Sequence, residues 1–88
     1  MGMALKFERR FFMSHIVREH LVPIAQSKQL PGSPSESSVR RWVRKGVLGK
    51  KSGKVHKLEV VYIGSSPYTS IEAFERWVDR VTEDFSRD

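Results

Sequence analysis

The strongest constraint on this chain's fold is its punctuation. Pro31-Gly32 on one side and Gly46 on the other leave room between them for one helix of about a dozen residues at most. The interval opens on Ser33-Pro34-Ser35-Glu36, which has capping-box spacing with proline at the first helical position, and Ser35 or Ser37 could cap a slightly later start. Val39, Trp42 and Val43 then form an apolar stripe, which leaves Arg40, Arg41 and Arg44 on the opposite or flanking surface. Arg44 and Lys45 fall where the negative end of a helix favours cations, and Gly46 is the natural stop.

The preceding helix must be short as well. Pro23 suits a first helical turn because its missing N–H would be unpaired there, Ile24, Ala25 and residues 28–30 continue the pattern, and Pro31-Gly32 ends it. Two short helices about a Pro-Gly turn make a helix-turn-helix pattern. Residues 49–57 are polar, basic and interrupted by Gly53, which predicts a mobile loop. Residues 58–63 form an apolar, β-branched run, Gly64-Ser65-Ser66-Pro67 a turn, and Tyr68-Thr69 a returning strand, so a β-hairpin, the wing, is expected. Thr69 with Glu72 has capping-box spacing, and Ile71, Phe74, Trp77, Val78, Val81 and Phe85 recur as in an amphipathic helix.

The expected fold class is therefore α+β, mostly α: a winged helix-turn-helix with a β-hairpin wing and a C-terminal amphipathic helix. Residues 1–20 read as an N-terminal tail or arm with a short helix, on the helical spacing of Phe11, Phe12, Ile16 and Val17, and residues 21–88 as the domain. At 88 residues only about 60% of the unfolded chain's surface can be buried, which disfavours a large internal pocket and with it an enzyme or a small-molecule substrate. With no cysteine there is no disulfide, thiolate metal site or nucleophilic thiol. His15, His20 and His56 lack zinc-motif spacing, so neither a metal nor a cofactor is expected. Glu72, Glu75 and Asp79 lie beside Arg76 and Arg80 at helical spacing and read as a solvated, salt-linked face rather than catalytic carboxylates. No apolar run nears the roughly 20 residues of a membrane span, and the first residues do not make a signal peptide, so a cytoplasmic, nucleoid-associated protein is expected.

Charge points to the partner. The net charge is +6, and Arg40, Arg41, Arg44, Lys45, Lys50, Lys51, Lys54 and Lys57 fall in residues 40–57, which hold no carboxylate. The stretch from Ser70 to Asp88 is net negative by contrast. Such a basic cluster starting inside a capped helix is the pattern of a double-stranded DNA-binding module: a helix fits the roughly 12 Å major groove, and arginine can pair bidentately with guanine. The candidate DNA-binding residues are Ser35, Ser37, Ser38, Arg40 and Arg41 at the reading end, Arg44, Lys45, Lys50, Lys51, Lys54 and Lys57 for phosphates, and Tyr68 on the hairpin. Arg40 or Arg41 is the expected base reader. Of Tyr62 and Tyr68, one can face the core and the other a phosphate. Trp42 and Trp77 share helical register with apolar residues and read as core rather than as base-stacking platforms.

Residues 21–81 resemble the excisionase-like and MerR-type winged-helix proteins, chiefly their small bacterial members. The likeness rests on Leu21-Val22-Pro23-Ile24-Ala25, Leu30-Pro31-Gly32, Ser37-Ser38-Val39-Arg40-Arg41-Trp42, Gly46-Val47-Leu48-Gly49, Leu58-Glu59 and Tyr68-Thr69-Ser70-Ile71-Glu72-Ala73-Phe74-Glu75-Arg76-Trp77. It implies that Ser37, Ser38, Arg40, Arg41 and Arg44 enter the major groove, and that residues 64–68 reach a minor groove or phosphate strand. At the hairpin tip Ser65, Ser66 and Pro67 stand where basic residues are usual, and the basic segment 50–57 is the expected substitute. The function expected is a sequence-specific DNA-binding protein of excisionase type, a recombination directionality or architectural factor. The alternatives are a small MerR-like transcriptional regulator, an interaction module docking an integrase, another recombinase or a second copy on DNA, or, third, RNA or ribosome binding through the basic segment.

Overall fold

The apolar positions picked out by spacing converge on one core. In a computed structural model, which describes residues 16–85, Val22, Ile24, Leu30, Val39, Leu58, Phe74 and Trp77 are all buried and in mutual contact, with Trp42, Val43, Val47, Val60, Ile71 and Val81 packed around them. Full burial of such a side chain stabilises by about 1.5–3 kcal/mol. The architecture is α+β.

The chain enters through strand β1, Leu21–Pro23, and turns into a 3-10 segment, Ile24–Gln29, broken by non-helical angles at Gln26. The short helix expected here is thus an irregular 3-10 run, with Pro23 extended at its entry rather than in its first turn. Gly32 (φ 85°) and Ser33 (φ 49°) make the reversal that follows. Helix α1 spans Glu36–Arg44. Ser35 is its cap, its Oγ accepting from the Ser38 N–H at 3.2 Å, which decides among the candidate capping serines. At the far end the N–H groups of Lys45 and Gly46 both bond to the Arg41 carbonyl, and Gly46 sits at φ 76°. A Cβ there would press to 2.7 Å from the His56 carbonyl oxygen, so glycine is required by both angle and space.

Two hairpins follow. Strands β2 (Val47–Leu48) and β3 (Val55–His56) pair antiparallel, so residues 49–57, expected as a mobile loop, are closed by a short ladder and a turn. Strands β4 (Val61–Ile63) and β5 (Ser66–Ser70) form the second hairpin about Gly64 and Ser65. It is the one read from the sequence, with a tighter turn: Ser66 and Pro67 belong to the strand, and Pro67 lies opposite Tyr62. Strand β5 also pairs with β1, giving a three-stranded sheet in the order β1-β5-β4.

Helix α2, Ile71–Phe85, closes the molecule. Its cap is Ser70, whose Oγ accepts from the Ala73 N–H at 2.8 Å, and not the expected Thr69. Thr69 is still in the strand, fully buried, and donates its hydroxyl to the Glu59 carbonyl. The expected salt-linked face along α2 is also replaced by links to other segments. Arg76 binds Glu19 at 2.8 Å and Glu59 at 2.6 Å, while Glu72 binds His20. Of the expected N-terminal arm, Phe11 and Phe12 lie outside the described residues, whereas Ile16 is buried and Glu19 and His20 are tied to α2. No described helix is long and apolar enough to cross a membrane.

Candidate nucleic-acid interface

Helix α1 divides as its sequence dictates. Val39 is fully buried, Trp42 and Val43 are half-buried, and Glu36, Ser37, Arg40, Arg41 and Arg44 are exposed. Trp42 fixes the helix in place. Its ring lies 4.8 Å from that of Trp77 and 6.2 Å from that of Phe74, in tilted arrangements suited to aromatic pairs.

The candidate contact residues do not share one environment. Ser35 and Ser38 bond to each other, Oγ to Oγ at 3.0 Å, and Ser37 Oγ lies 3.5 Å from Ser35 Oγ, so the three hydroxyls cluster at the cap, with Ser35 and Ser37 exposed and Ser38 half-buried. Arg40 is held along the helix by Glu36, whose Oε2 accepts from Arg40 Nε at 2.9 Å and Nη2 at 2.7 Å. Among the described residues Arg41 and Arg44 have no carboxylate partner, and Lys45 is exposed at the helix end. Tyr68 is half-buried in the middle strand of the sheet, beside Pro23 and Val61.

Tyr62 is the tyrosine left outside, at 63% exposure. It lines a groove between α1 and the β4–β5 hairpin, where Ile24, Val43, Val60 and Pro67 supply apolar surface and Arg40, Arg44 and Tyr62 polar groups. The strand register decides between the two tyrosines, placing Tyr68 in the middle strand and Tyr62 on the edge strand β4.

The second basic element is the turn of the β2–β3 hairpin. Lys50, Lys51 and Lys54 are exposed there and Lys57 follows just beyond β3. The turn is tied to the last turn of α2 by Asp84, which is 8% exposed. Asp84 Oδ1 accepts from the N–H groups of Lys51 (3.1 Å) and Ser52 (2.8 Å), and Oδ2 accepts from Ser52 Oγ (2.5 Å) and His56 Nε2 (2.6 Å). These bonds, His56 first and then Ser52, hold the carboxyl far below the usual carboxylate range. A Cβ at Gly49 would overlap the Asp84 carboxylate, so the backbone approaches α2 here only as glycine. Lys50 Nζ lies 5.9 Å from the Phe85 ring centroid, Trp77 Nε1 donates to the His56 carbonyl, and Arg80 reaches the Lys57 carbonyl.

A family model described as protein of unknown function (DUF1580) matches residues 23–82, well over half the chain. The chain belongs to the DUF1580 family. The stretch matched to DUF1580 runs from the end of β1 nearly to the end of α2 and takes in α1, both hairpins and the groove between α1 and β4. No curated protein and no solved structure matches the chain.

Proposed function

We propose that this chain is a winged helix-turn-helix protein that binds duplex DNA without cutting it, as an architectural factor of excisionase type. Helix α1 lies in the major groove, and the lysines of the β2–β3 turn grip phosphates. The observation that carries the reading is the division of α1. One side is anchored by Val39 and Trp42 in the core, and the other presents Ser37, Arg41 and Arg44 to solvent. A helix fixed in this way can offer guanidinium groups to base edges in one orientation, which a frayed basic segment cannot. Arg41 is the better base reader of the two candidates because Arg40 is already engaged by Glu36. The β4–β5 hairpin, the wing of this reading, has an uncharged tip, and Tyr62 is its contact to the backbone.

Salt dependence tests the reading. Neutralisation of about five phosphates gives a log-log slope of affinity against salt near −4 to −5 on duplex DNA. Fluorescence anisotropy that finds no duplex binding at low salt, or a slope near zero, overturns it. A second reading, a module docking a recombinase or a second copy, draws on Glu75, Asp79 and Glu83, which are exposed on α2 while Arg76 and Arg80 turn to other segments. Duplex-independent self-association in sedimentation velocity, abolished by reversing those three charges, would favour it.

A further inference from the structure

The Asp84 cluster has a chemistry that DNA binding by charge alone does not need. A carboxylate beside Lys50, Lys51 and Lys54 subtracts from the positive potential of that turn and should weaken its attraction for a polyanion. Yet Asp84 is buried, four of its hydrogen bonds go to the turn and to β3, and Lys51 N–H also reaches the Asp84 backbone carbonyl at 3.0 Å. Every one of these donors except the Ser52 hydroxyl and the His56 ring is a backbone N–H. The turn therefore faces α2 with its main chain and leaves its lysine side chains exposed. Ser52 Oγ accepts in turn from the Lys54 N–H at 3.0 Å, and Gly49 bonds across the turn to the Lys54 carbonyl and Gly53 back to the Gly49 carbonyl.

We propose that Asp84 is a positioning residue for nucleic-acid binding. It holds the turn 49–54 in one conformation, so that Lys50, Lys51 and Lys54 meet the phosphate backbone already ordered. This role rests on the DNA-binding reading above. A turn ordered beforehand does not lose its freedom on association, which is the general advantage of pre-organised contacts. The opposing effects give the test its sign: removing the carboxylate strengthens binding if only its charge matters, and weakens it if its hydrogen bonds matter.

The test uses the full chain and a random-sequence duplex, with affinity read by fluorescence anisotropy and backbone order by amide hydrogen exchange. Asp84→Ala is expected to lower affinity about tenfold, with loss of exchange protection at Lys51 and Ser52 and retention at the β1–β5 ladder. Asp84→Asn keeps one oxygen for the two backbone N–H groups and should recover part of the affinity. Ser52→Ala, which changes no charge, should lower affinity less than Asp84→Ala. If Asp84→Ala does not fold, the other two variants carry the comparison. Affinity unchanged or raised in variants whose turn exchanges freely overturns the positioning role alone. Absence of duplex binding by the wild type overturns the DNA-binding reading itself, and the positioning role with it.

Discussion

Trp42 of α1 and Trp77 of α2 meet with ring centroids 4.8 Å apart, and Trp77 carries the contact onward by donating Nε1–H to the His56 carbonyl. One aromatic pair thus joins the two helices and the β2–β3 hairpin. Replacement of Trp42 by alanine is expected to cost about 3–5 kcal/mol of stability, measured by urea denaturation. Trp42→Phe should cost clearly less, since a ring remains against Phe74 and Trp77. A Trp42→Ala protein of wild-type stability that fails only in DNA binding would contradict the anchoring role.

Arg41 and Lys51 are expected to fail differently. Arg41→Ala should narrow the difference in affinity between cognate and random duplex by about 1–3 kcal/mol, as loss of a bidentate base contact does. Lys51→Ala should weaken both duplexes alike and reduce the salt slope by about one. Competition titrations at several salt concentrations separate the two patterns, and equal losses on both duplexes from both variants would refute the assignment.

Glu36 restrains Arg40 through two bonds to one carboxylate oxygen. The pair is exposed and contributes only about 0.3–0.5 kcal/mol to the helix, so Glu36→Gln should barely change the melting temperature. It removes a negative charge next to the reading face, and duplex affinity at low salt should rise two- to fivefold, an order-of-magnitude expectation for one exposed charge. A fall in affinity would show that the restrained Arg40 is the form that binds.

Gly49→Ala places a methyl group on the Asp84 carboxylate. The expected outcome is loss of amide protection at Lys51 and Ser52, with protection of the β1–β5 ladder unchanged. Unaltered protection at Lys51 would show that the hairpin can shift away from α2 without releasing its bonds.

The His20–Glu72 contact sets a pH dependence. Its 2.5 Å bond raises the His20 pKa above its usual 6.5 and lowers that of Glu72 from 4.5 to about 2. The raised histidine contributes stability that is complete below pH 6.5 and is lost as pH climbs through its folded-state value. The depressed carboxylate contributes stability that is complete above pH 4.5 and is lost as pH falls toward 2. The difference in melting temperature between wild type and His20→Ala should therefore be widest between those two limits and shrink at alkaline pH. A difference that stays flat across this range would mean that the pair does not form in solution.

The local devices were legible in the chain because they work over three or four residues. The stripe of Val39, Trp42 and Val43, the stop at Gly46 and the hairpin about Gly64 all follow from short-range spacing and backbone angle. Thr69 offers the same capping chemistry one position before Ser70, and only burial of Thr69 against the Glu59 carbonyl separates them. Arg76 read as a partner of acids on its own helix, yet its partners lie 57 and 17 residues away. In the sequence Asp84 is one more acid of the net-negative stretch from Ser70 to Asp88, because its partner Ser52 is 32 residues distant and no periodicity links the two.

Strand β1 pairs with β5 through Leu21↔Ser70, Val22↔Thr69 and Pro23↔Tyr68, so the middle strand of the sheet finds one neighbour nearly fifty positions back in the chain. A ribosome making this protein must release nearly fifty further residues after β1 before that strand has its partner. Until then the apolar side of β1 is uncovered, and the molecule completes its sheet only as α2 emerges. Cleavage within the turn 49–54 would divide β1 from β5 without cutting either strand. The two pieces would retain a sheet to rebuild, and their reassociation when mixed would measure how strongly the β1–β5 ladder, the β2–β3 pair and the Trp42–Trp77 contact together hold the fold.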